Sequence, residues 1–559
     1  MNDTQIAGSG LQGFRFDPRN FDFELSYLNS VLAIAAVFLV RGVWLAVYRL
    51  FFSPIAKFPG PKLAALTTLY EAYYDLISKG GGQTAFRIKS LHEKYGPIVR
   101  VGPNELHIDD PEYYNDVYTK STASRPIDKL EKYKHRFGMP EATISTVEGE
   151  KHRIRRAAIA PFFSKSRING MNDTLLEIAE RISYRLSTEY AGTGRPIDVC
   201  DMWGTLTADV VSELAFARCT RFSDSPDFKS PYSSALMSWV FAAHYTTHFN
   251  SLIQTMHWMP DRVLGTLVPS FKPILDYRAA IRPQVREMLA GKNMLAKESS
   301  HPTIFHDILA SDLPKEELSF KRLTQEAMSL SGAGIETTMW TLSVATFHTL
   351  WNPSVEKRLV AELTEAMPDP ANILPWSELE KLPFLSAVIN ECECLPRVCR
   401  VYLWRGEETT LTGTLLALRL SFGSVQRLPR VNRLASMKYG SWEIPAGTAV
   451  SMDAYHMHTN PDIFPNPLEF VPERWLGDPK GPDGVRPLSY YLVSFIRGSR
   501  VCIGMHLALM DMYVALAMLF RRHKLELFET DRSDVDFIVD LVRPMPKWDT
   551  KGVRIIVKS

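Results

Sequence analysis

The chain has 559 residues, of which 45% are hydrophobic and 23% charged, and 64 Lys and Arg residues nearly balance 62 Asp and Glu residues, for a formal net charge of +2. This composition excludes a disordered or collagen-like chain and gives no support for a protein that binds nucleic acid through its charge, so we expect no nucleic-acid partner. The 6 cysteines are too sparse for a secreted disulfide scaffold and include no C-x-x-C pair for zinc, which favours a reducing compartment.

The first predicted element is a membrane-spanning helix near the N-terminus. From Val31 to Tyr48 every residue except Arg41 is apolar or glycine, and a helix of this length spans about 27 Å, close to the hydrocarbon thickness of a bilayer. A buried core helix and a cleaved signal peptide are the alternatives, and the second fits poorly because no basic n-region precedes the stretch. We expect a luminal segment over 1–29 and a single anchor over 30–52, with the bulk of the chain on the cytosolic side.

A stiff hinge and one large domain are expected to follow the anchor. Pro59, Gly60 and Pro61 cannot continue a helix, so residues 53–62 are predicted to form a proline-rich hinge. No internal repeat, low-complexity tract or linker divides residues 63–559, which are therefore predicted to form a single domain.

This domain is predicted to be mainly α-helical with small β-sheets, because its apolar residues follow helical spacing over most of their length. The predicted elements, in chain order, are helical segments within 63–100 that break at Gly80–Gly82, a strand–turn–strand unit over 98–108, mostly helices from about 170 to 380, strand-like pieces over 437–451, an apolar helix over 506–522 and a strand-rich tail.

One long predicted helix has poor helix formers near its middle. Its sequence over 333–338 is AGIETT, and Gly332 comes just before it. Glycine leaves room beside a helix, and a threonine hydroxyl can replace a broken backbone hydrogen bond. A helix–helix crossing lined by small residues would explain the same pattern, so both interpretations stay open at this point.

A lone cysteine lies in a glycine-containing loop just before the apolar helix near the C-terminus. The loop, over 495–504, reads FIRGSRVCIG. Cys502 would have its thiolate favoured by the N-terminal end of the following helix and by Arg497 and Arg500, and the glycines would let the backbone approach a large flat group. The alternative for a lone cysteine is a small, packed hydrophobic residue.

Taken together, these motifs resemble those of the cytochrome P450 family. The cysteine loop has the spacing F-x-x-G-x-R-x-C-x-G of the family's haem-binding loop, and AGIETT is similar to its oxygen-activation motif, A/G-G-x-D/E-T. The segment PGP at 59–61 looks like the hinge of the membrane-bound members, and PERW at 472–475 resembles P-E-R-F. The resemblance implies the cytochrome P450 fold with a single N-terminal anchor helix in the endoplasmic reticulum membrane.

The resemblance also implies a haem b with Cys502 as the axial thiolate ligand of its iron. Thr337 would hydrogen-bond dioxygen, and Glu336 would relay protons to it. Arg156 would pair with a haem propionate and His152 would replace the family's aromatic residue, although a basic, solvated helix face is the alternative there. The haem-binding residues implied in this way are Cys502, Arg156, His152, Arg500, Phe495 and Gly498.

One predicted helix departs from the family pattern. In the family, the arginine of the P-E-R motif, here Arg474, is locked to a Glu–Arg pair with the spacing E-x-x-R. In this sequence Glu391 has no arginine at i+3. Removal of the 25 residues 393–417 restores E-C-L-R with Arg419. We expect these residues to be the translation of a retained intron or an insertion that disrupts the fold, because a buried charge without its partner costs about 3–5 kcal/mol. A segment that loops out and leaves Glu391 close to Arg419 is the remaining alternative.

The activity implied by the resemblance is insertion of one oxygen atom from O2 into a C–H or C=C bond. Electrons would come from an external NADPH–cytochrome P450 reductase, with cytochrome b5 as a further donor, because the sequence has no Gly-rich dinucleotide fingerprint. The substrate is expected to be a lipophilic secondary metabolite, with a terpenoid ahead of a polyketide or an alkaloid.

Two segments, 112–145 and 232–260, are expected by resemblance to cap the substrate pocket, without any individual contact being assigned. Their large side chains are Met139, Trp239, Phe241, Tyr245, Phe249, Met256 and Trp258. Two rival functions stay open: a catalytically silent or misfolded haem protein because of the insertion at 393–417, and an anchored helical binding protein without haem, in which Cys502 is only packed.

Overall fold

The structure is a computed structural model, which describes residues 18–122, 125–256, 258–293, 301–391 and 419–558. Two units make up the chain, Met1–Lys57 and Phe58–Ser559.

The N-terminal unit consists of one long apolar helix. Helix α1, Pro18–Val47, continues as a π-helical turn over Tyr48–Phe52. The stretch Tyr27–Phe52 has a mean hydropathy of 2.2, and none of its apolar window is buried. The predicted helix is therefore confirmed, and its exposed apolar side chains argue against the alternative of a core helix. Its length and composition suit a membrane anchor.

Most of the second unit is helical, as predicted. Its helices are α2 Lys62–Leu66, α3 Leu69–Leu76, α4 Thr84–Tyr95, α5 Tyr114–Val117, α6 Gly149–Ile159, α7 Lys165–Asn169, α8 Asn172–Arg185, α9 Val199–Phe216, α10 Pro231–His248, α11 Asn250–Met256, α12 Asp261–Leu267, α13 Lys272–Leu289, α14 Ile304–Leu309, α15 Phe320–Trp351, α16 Pro353–Ala366, α17 Trp376–Leu379, α18 Pro383–Glu391, α19 Ala454–His458 and α20 Met505–Arg522.

Small sheets complete this unit. The strands are β1 Ile98–Gly102, β2 Glu105–Ile108, β3 Ile127–Lys129, β4 Ile197–Asp198, β5 Arg430–Asn432, β6 Met437–Tyr439, β7 Trp442–Ile444, β8 Ala449–Ser451, β9 Leu525–Leu527, β10 Val539–Leu541, β11 Arg543–Met545 and β12 Arg554–Val557. They form a five-stranded sheet in the order β1-β2-β8-β5-β3, a three-stranded sheet in the order β4-β12-β9, and the pairs β10-β11 and β6-β7.

The predicted hairpin at 98–108 is confirmed, with Ile98 opposite Ile108 in antiparallel β1 and β2. The next neighbour of β2 is β8, which lies parallel to it and far away in sequence. Parallel strands need a long connection, and here that connection includes most of the helices.

Helices α9 and α15 pack against each other in the interior of the helical region. Trp203 Nε1 on α9 donates a hydrogen bond to Thr346 Oγ1 on α15 at 3.2 Å. A Cβ atom on Gly334 would lie 2.8 Å from Cγ2 of Val211, so only glycine allows this close approach. The small-residue crossing considered for the AGIETT motif therefore explains Gly334.

Candidate active site

A cavity of about 340 Å³ lies between α15, α10, the first residues of β5 and the cysteine loop. Ala333 and Thr337 line it from α15, Leu236 and Trp239 line it from α10, and Cys502 lines it from the loop. The cavity thus brings together the two motifs that stood out in the sequence.

The cysteine loop is held in one shape by its backbone. The Cys502 N–H donates to the Phe495 carbonyl oxygen at 2.8 Å. Gly498 has φ +73°, and a Cβ atom on it would run into the carbonyl oxygens of Tyr118 and Thr119. Position 498 therefore requires glycine for its backbone angle and for the close approach of the neighbouring chain.

The exposed surface of Cys502 faces the cavity that it lines. Burial raises the pKa of the Cys502 thiol, while the Gly504 N–H and Arg156 lower it. The expectation that Arg497 and Arg500 favour the thiolate stays a prediction, and both guanidinium groups donate hydrogen bonds to other residues. Arg497 instead donates to Asn115 Oδ1 at 2.9 Å, and Arg500 donates to the carbonyl oxygens of two neighbouring residues.

Those two carbonyl acceptors, on Thr146 and Val147, are each 2.7 Å from Arg500. Burial and the charge of Arg430 lower the pKa of Arg500 to about 9. Burial and the surrounding cations, Arg500 first among them, lower the pKa of His152 to about 2, so His152 is a neutral imidazole. The predicted residues His152, Arg156 and Arg500 therefore lie in one strongly cationic environment.

Sequence reasoning missed two further cations of this cluster, Lys129 and Arg430. They lie directly opposite each other in antiparallel β3 and β5, a placement that destabilises a sheet when the charges are alike. Burial and the charges of Arg500 and Arg430 hold the pKa of Lys129 well below its usual range. No local motif marks these residues; only the pairing of β3 with β5 reveals them.

These residues fit a haem. A thiol facing an internal cavity suits an iron ligand, and thiolate coordination by a metal overcomes the raised pKa that burial gives to Cys502. The cluster of Lys129, Arg156, Arg430 and Arg500 supplies the positive charge that two propionates need. Phe495 also lines the cavity, whereas Gly498 allows the loop to approach its neighbours.

Thr337 lies on the wall of the cavity that α15 forms. Its Oγ1 donates to the Ala333 carbonyl oxygen at 2.8 Å, one turn earlier in the helix. The side chain is otherwise exposed toward the cavity, so the oxygen keeps accepting capacity there. Helix α15 continues through the motif without interruption, so the hydroxyl adds a hydrogen bond to an intact helix and does not replace a broken one.

The acid of this motif forms a buried ion pair that the sequence did not reveal. Arg543 Nε, on β11, donates to Glu336 Oε1 at 2.5 Å, with side-chain exposures of 7% and 11%. The guanidinium also lies over the Trp340 ring, 4.6 Å from its centroid. Both members of the pair line the cavity. Because Arg543 comes 207 positions after Glu336, no sequence pattern could have paired them.

Glu391 and Arg419 are in contact although they lie 28 positions apart in the chain. Arg419 Nε donates to Glu391 Oε2 at 3.0 Å, and Arg474 Nε donates to Oε1 at 2.9 Å. Trp475 Nε1 completes the environment of Oε2 at 2.8 Å. The expectation that the insertion breaks this pair is therefore wrong for the described residues, and the predicted locking of Arg474 is confirmed. Residues 393–417 themselves lie outside the described residues.

A histidine connects this ion-pair network with the cysteine loop. His458 Nδ1 lies 3.1 Å from the Arg419 carbonyl oxygen, and the Val493 N–H donates to His458 Nε2 at 3.0 Å. Val493 comes two residues before Phe495. The Glu391 network therefore supports the loop that carries Cys502.

Of the large side chains proposed for the substrate pocket, Met139 and Trp239 line the cavity. Trp239 Nε1 is fixed by the Phe137 carbonyl oxygen at 2.7 Å. The others are not among the lining residues: Phe241 stacks on Trp548, for example, with ring centroids 5.6 Å apart. Helical spacing alone could not separate the two groups, because both follow the same apolar pattern.

A sequence model described as Cytochrome P450 matches residues 73–392 and 417–550. The gap between the two matched stretches coincides with the predicted interruption. The match covers more than half of the chain.

Full-length relatives support the same family. The chain is 39% identical over 516 residues to cytochrome P450 monooxygenase orf4 of Eupenicillium brefeldianum, covering 91% of this chain and 95% of the relative. It is 38% identical over 545 residues to cytochrome P450 monooxygenase MO6277 of Ascocoryne sarcoides, with 95% and 99% covered. It is also 34% identical over 526 residues to tryptophan 6-hydroxylase fscE of Fusarium equiseti, with 94% and 96% covered.

Proposed function

Because this chain belongs to the cytochrome P450 family, a family of haem-dependent monooxygenases, we propose that it oxidises a lipophilic secondary metabolite at the cavity beside Cys502. The observation that carries this proposal is the convergence of Cys502, Thr337 and three of the clustered basic residues, Lys129, Arg430 and Arg500, on one cavity. Cys502 would hold the haem iron through its thiolate, with Phe495 and Gly498 shaping its loop. Arg156 would pair with a propionate, His152 and Arg500 would also bind the haem, and we add Lys129 and Arg430 as further partners of the propionates.

When bound, the haem supplies the activation of O2, so that one oxygen atom enters the substrate and the other leaves as water, at the expense of two external electrons and two protons. The chain must deliver those protons. Thr337 offers a hydroxyl at the cavity wall, and Glu336 offers a carboxylate on the same helix. The ion pair with Arg543 holds the Glu336 carboxylate in place, so proton transfer through Glu336 requires that this pair loosen.

The proposed substrate is apolar, and a terpenoid is favoured over a polyketide or an alkaloid. The cavity wall supports this because it is formed largely by apolar side chains, including Phe137, Ile144 and Met328. Glu336, the carboxylate that lines it, is already paired with a cation, which disfavours a strongly basic ligand. Spectral titration with members of the three compound classes tests this preference, and tight binding confined to basic alkaloids would overturn it.

We propose an external NADPH–cytochrome P450 reductase as electron donor, assisted by cytochrome b5. We also propose that residues 30–52 anchor the enzyme in the endoplasmic reticulum membrane, with residues 1–29 in the lumen, 53–62 as the hinge and 63–559 as the cytosolic catalytic domain. The hydropathy and exposure of the apolar helix support the anchor. Carbonate extraction of membranes and protease protection test it: release by carbonate, or protection of the catalytic domain, would contradict it.

The test of the proposed function is the reduced, carbon monoxide-bound difference spectrum of three chains. These are the full chain, a shortened chain that lacks residues 393–417, and the full chain with Cys502→Ser. We expect a thiolate-type Soret band from the first two chains and its loss with Cys502→Ser. A band in the shortened chain alone would favour the alternative of a silent or misfolded full-length protein. The absence of the band from the first two chains would overturn the haem-thiolate assignment.

The origin of residues 393–417 is tested separately. We propose that they are the translation of a retained intron, because the family match is interrupted there and their removal restores E-C-L-R. Sequencing of mature transcripts should then show a spliced majority without these codons. Transcripts that carry the codons at full abundance would contradict this origin.

A further inference from the structure

Three buried histidines meet outside the cavity, at the junction of α4, the five-stranded sheet and α19. His92 lies on α4, His107 on β2 and His456 on α19, and all three are at most 8% exposed. One ring nitrogen from each lies within 4.8 Å of the other two. Nothing in the proposed oxidation chemistry uses these residues.

The outer nitrogens of the three rings all have hydrogen-bond acceptors. His92 Nδ1 lies 2.8 Å from the Gly96 carbonyl oxygen. His107 Nε2 lies 3.1 Å from Asp453 Oδ2, and His456 Nδ1 lies 2.8 Å from Asp453 Oδ1. A carbonyl oxygen and a carboxylate only accept hydrogen bonds, so each outer nitrogen carries a proton.

When the rings are neutral, their inner nitrogens carry lone pairs, and His92 Nε2 faces His107 Nδ1. His92 Nε2 and His107 Nδ1 are 2.7 Å apart, a distance that two lone pairs do not tolerate without a cation between them. His456 Nε2 is buried and has no hydrogen-bond partner among the described residues. A single proton shared by His92 and His107 would still leave His456 Nε2 unsatisfied, whereas a metal ion satisfies all three nitrogens.

We propose that His92 Nε2, His107 Nδ1 and His456 Nε2 form a binding site for a divalent transition metal, best represented by Zn²⁺. Zinc binds imidazole nitrogen at about 2.0–2.1 Å, which requires ligand nitrogens about 3.3 Å apart in tetrahedral geometry. The short pair must therefore open by roughly 0.6 Å, within the reach of side-chain rotation. The outer hydrogen bonds match those that orient metal-bound histidines in proteins.

The metal would act as a structural crosslink rather than as a catalyst. His92 and His107 are 15 positions apart, but His456 follows Asp453, which comes 346 positions after His107. Asp453 also begins α19, by accepting a hydrogen bond from the His456 N–H at 2.8 Å. A bound ion would therefore fix α4 and α19 against the first sheet. The Asp453 carboxylate would offset part of the charge of the metal ion while it keeps its hydrogen bonds to His107 and His456.

A second cluster of possible ligands, Glu71, Asp75 and His248, carries no such site. Lys132 lies 2.7 Å and Arg427 lies 2.9 Å from Glu71 Oε2, and His248 Nε2 lies 2.7 Å from Asp75 Oδ2. Protein cations therefore already neutralise Glu71, and His248 is engaged by Asp75. The histidine cluster differs because His456 Nε2 has no hydrogen-bond partner in the part of the chain that the structure describes.

The test is elemental analysis of the haem-loaded full chain, purified without a histidine tag and equilibrated with a zinc buffer. We expect about one zinc per haem iron in the parent chain and a loss of most of this zinc with His456→Gln and with His107→Gln. His523→Gln is the matched control, because His523 is hydrogen-bonded to Ser183 at 2.9 Å but lies outside the cluster. An unchanged zinc content in both cluster variants, or no zinc in the parent, would overturn the proposal.

Spectroscopy of the parent chain keeps the test independent of variant folding. Zinc-edge absorption should give a first shell of nitrogen and oxygen at about 2.0–2.1 Å, with the outer-shell pattern of three imidazoles. A sulfur-containing shell, or a shell with fewer than two imidazoles, would place the metal elsewhere and overturn the proposal. Because zinc is counted against haem iron, failure of this site and failure of the haem-thiolate assignment are distinguishable.

Discussion

At the scale of single residues, the cysteine loop depends on a position where only glycine fits. Gly498 has a left-handed backbone conformation, and a Cβ atom at this position would collide with the carbonyl oxygens of Tyr118 and Thr119. The family pattern marks this glycine in the sequence. The steric reason for it is a segment almost 380 residues earlier in the chain, and the sequence does not show that this segment lies beside the loop.

Gly498→Ala should therefore reduce haem incorporation and lower the thermal midpoint. Gly477→Ala is the matched control, because Gly477 has a similar φ of +76° but nothing within 4 Å of the added Cβ. The control should lose about 1 kcal/mol through backbone strain alone, and Gly498→Ala should lose clearly more. Haem-to-protein ratios and thermal unfolding measure both effects, and equal losses in the two variants would contradict the steric argument.

The ion pair between Glu336 and Arg543 is a second residue-scale feature. Arg543→Leu leaves a buried carboxylate without its cation, and we expect a loss of about 3–5 kcal/mol in the free energy of unfolding. Glu336→Gln combined with Arg543→Leu should recover a large part of this loss. Urea unfolding of both single variants and the double variant measures the coupling.

The exposed pair of Arg153 with Glu150 is the control for that cycle, because its side chains are 64% and 68% exposed. Arg153→Leu should cause no measurable loss. Additive effects in the Glu336–Arg543 cycle would show that the pair does not stabilise the fold.

At the scale of elements, strand β10 carries a buried carboxyl group. Burial and the nearby Asp75 raise the pKa of Asp540 to about 8, whereas an aspartate in an unfolded chain has a pKa of about 3.9. Between these values the folded state binds more protons than the unfolded state. Stability should therefore fall as pH rises from about 4 to 8, by about 1.4 kcal/mol per pH unit at most.

Asp540→Asn should remove this slope and stabilise the protein at pH 7 to 8 relative to the parent. Unfolding midpoints measured across pH 5 to 8 check the expectation. Parallel pH curves for the parent and the variant would contradict it.

The two elements that flank the interruption provide another element-scale test. Helix α18 ends at Glu391, and Arg419 already contacts it across the intervening residues. Removal of residues 393–417 shortens the loop that closes when Glu391 and Arg419 meet. The entropic cost of closing this loop should fall by about 2 kcal/mol. The shortened protein should therefore unfold at higher urea, with an unchanged Soret position. Lower stability would show that residues 393–417 contribute to the fold.

Most elements could be predicted from the sequence because their signals are local. Apolar spacing located α8, α9, α15, α16 and α20, and the turn at 102–104 located β1 and β2. The cysteine loop and the AGIETT motif can also be recognised in the sequence. What the sequence could not show was contact over long separations: β2 beside β8, Arg543 on Glu336, Lys129 opposite Arg430. These contacts depend on how the elements pack, and no period or motif encodes packing.

At the scale of the whole molecule, the division of the chain into two units bears on how the enzyme meets its substrate. The apolar window of the helix Tyr27–Phe52 is not buried. With a bilayer as its solvent, it would keep the catalytic unit close to a phase that dissolves lipophilic compounds. Removal of residues 1–52 should then leave the Soret band unchanged while lowering turnover of membrane-dissolved substrate at the same bulk concentration.

The like charges of Lys129 and Arg430 on facing strands have a consequence for synthesis in the cell. With the proposed assignment, a newly made chain must bring these cations together before any propionate is present, and the folded form gains stability in proportion to the free haem concentration. Yield would then depend on haem supply more than on translation. In a cell that is short of porphyrin, much of the newly made polypeptide would be degraded before it could ever become an enzyme.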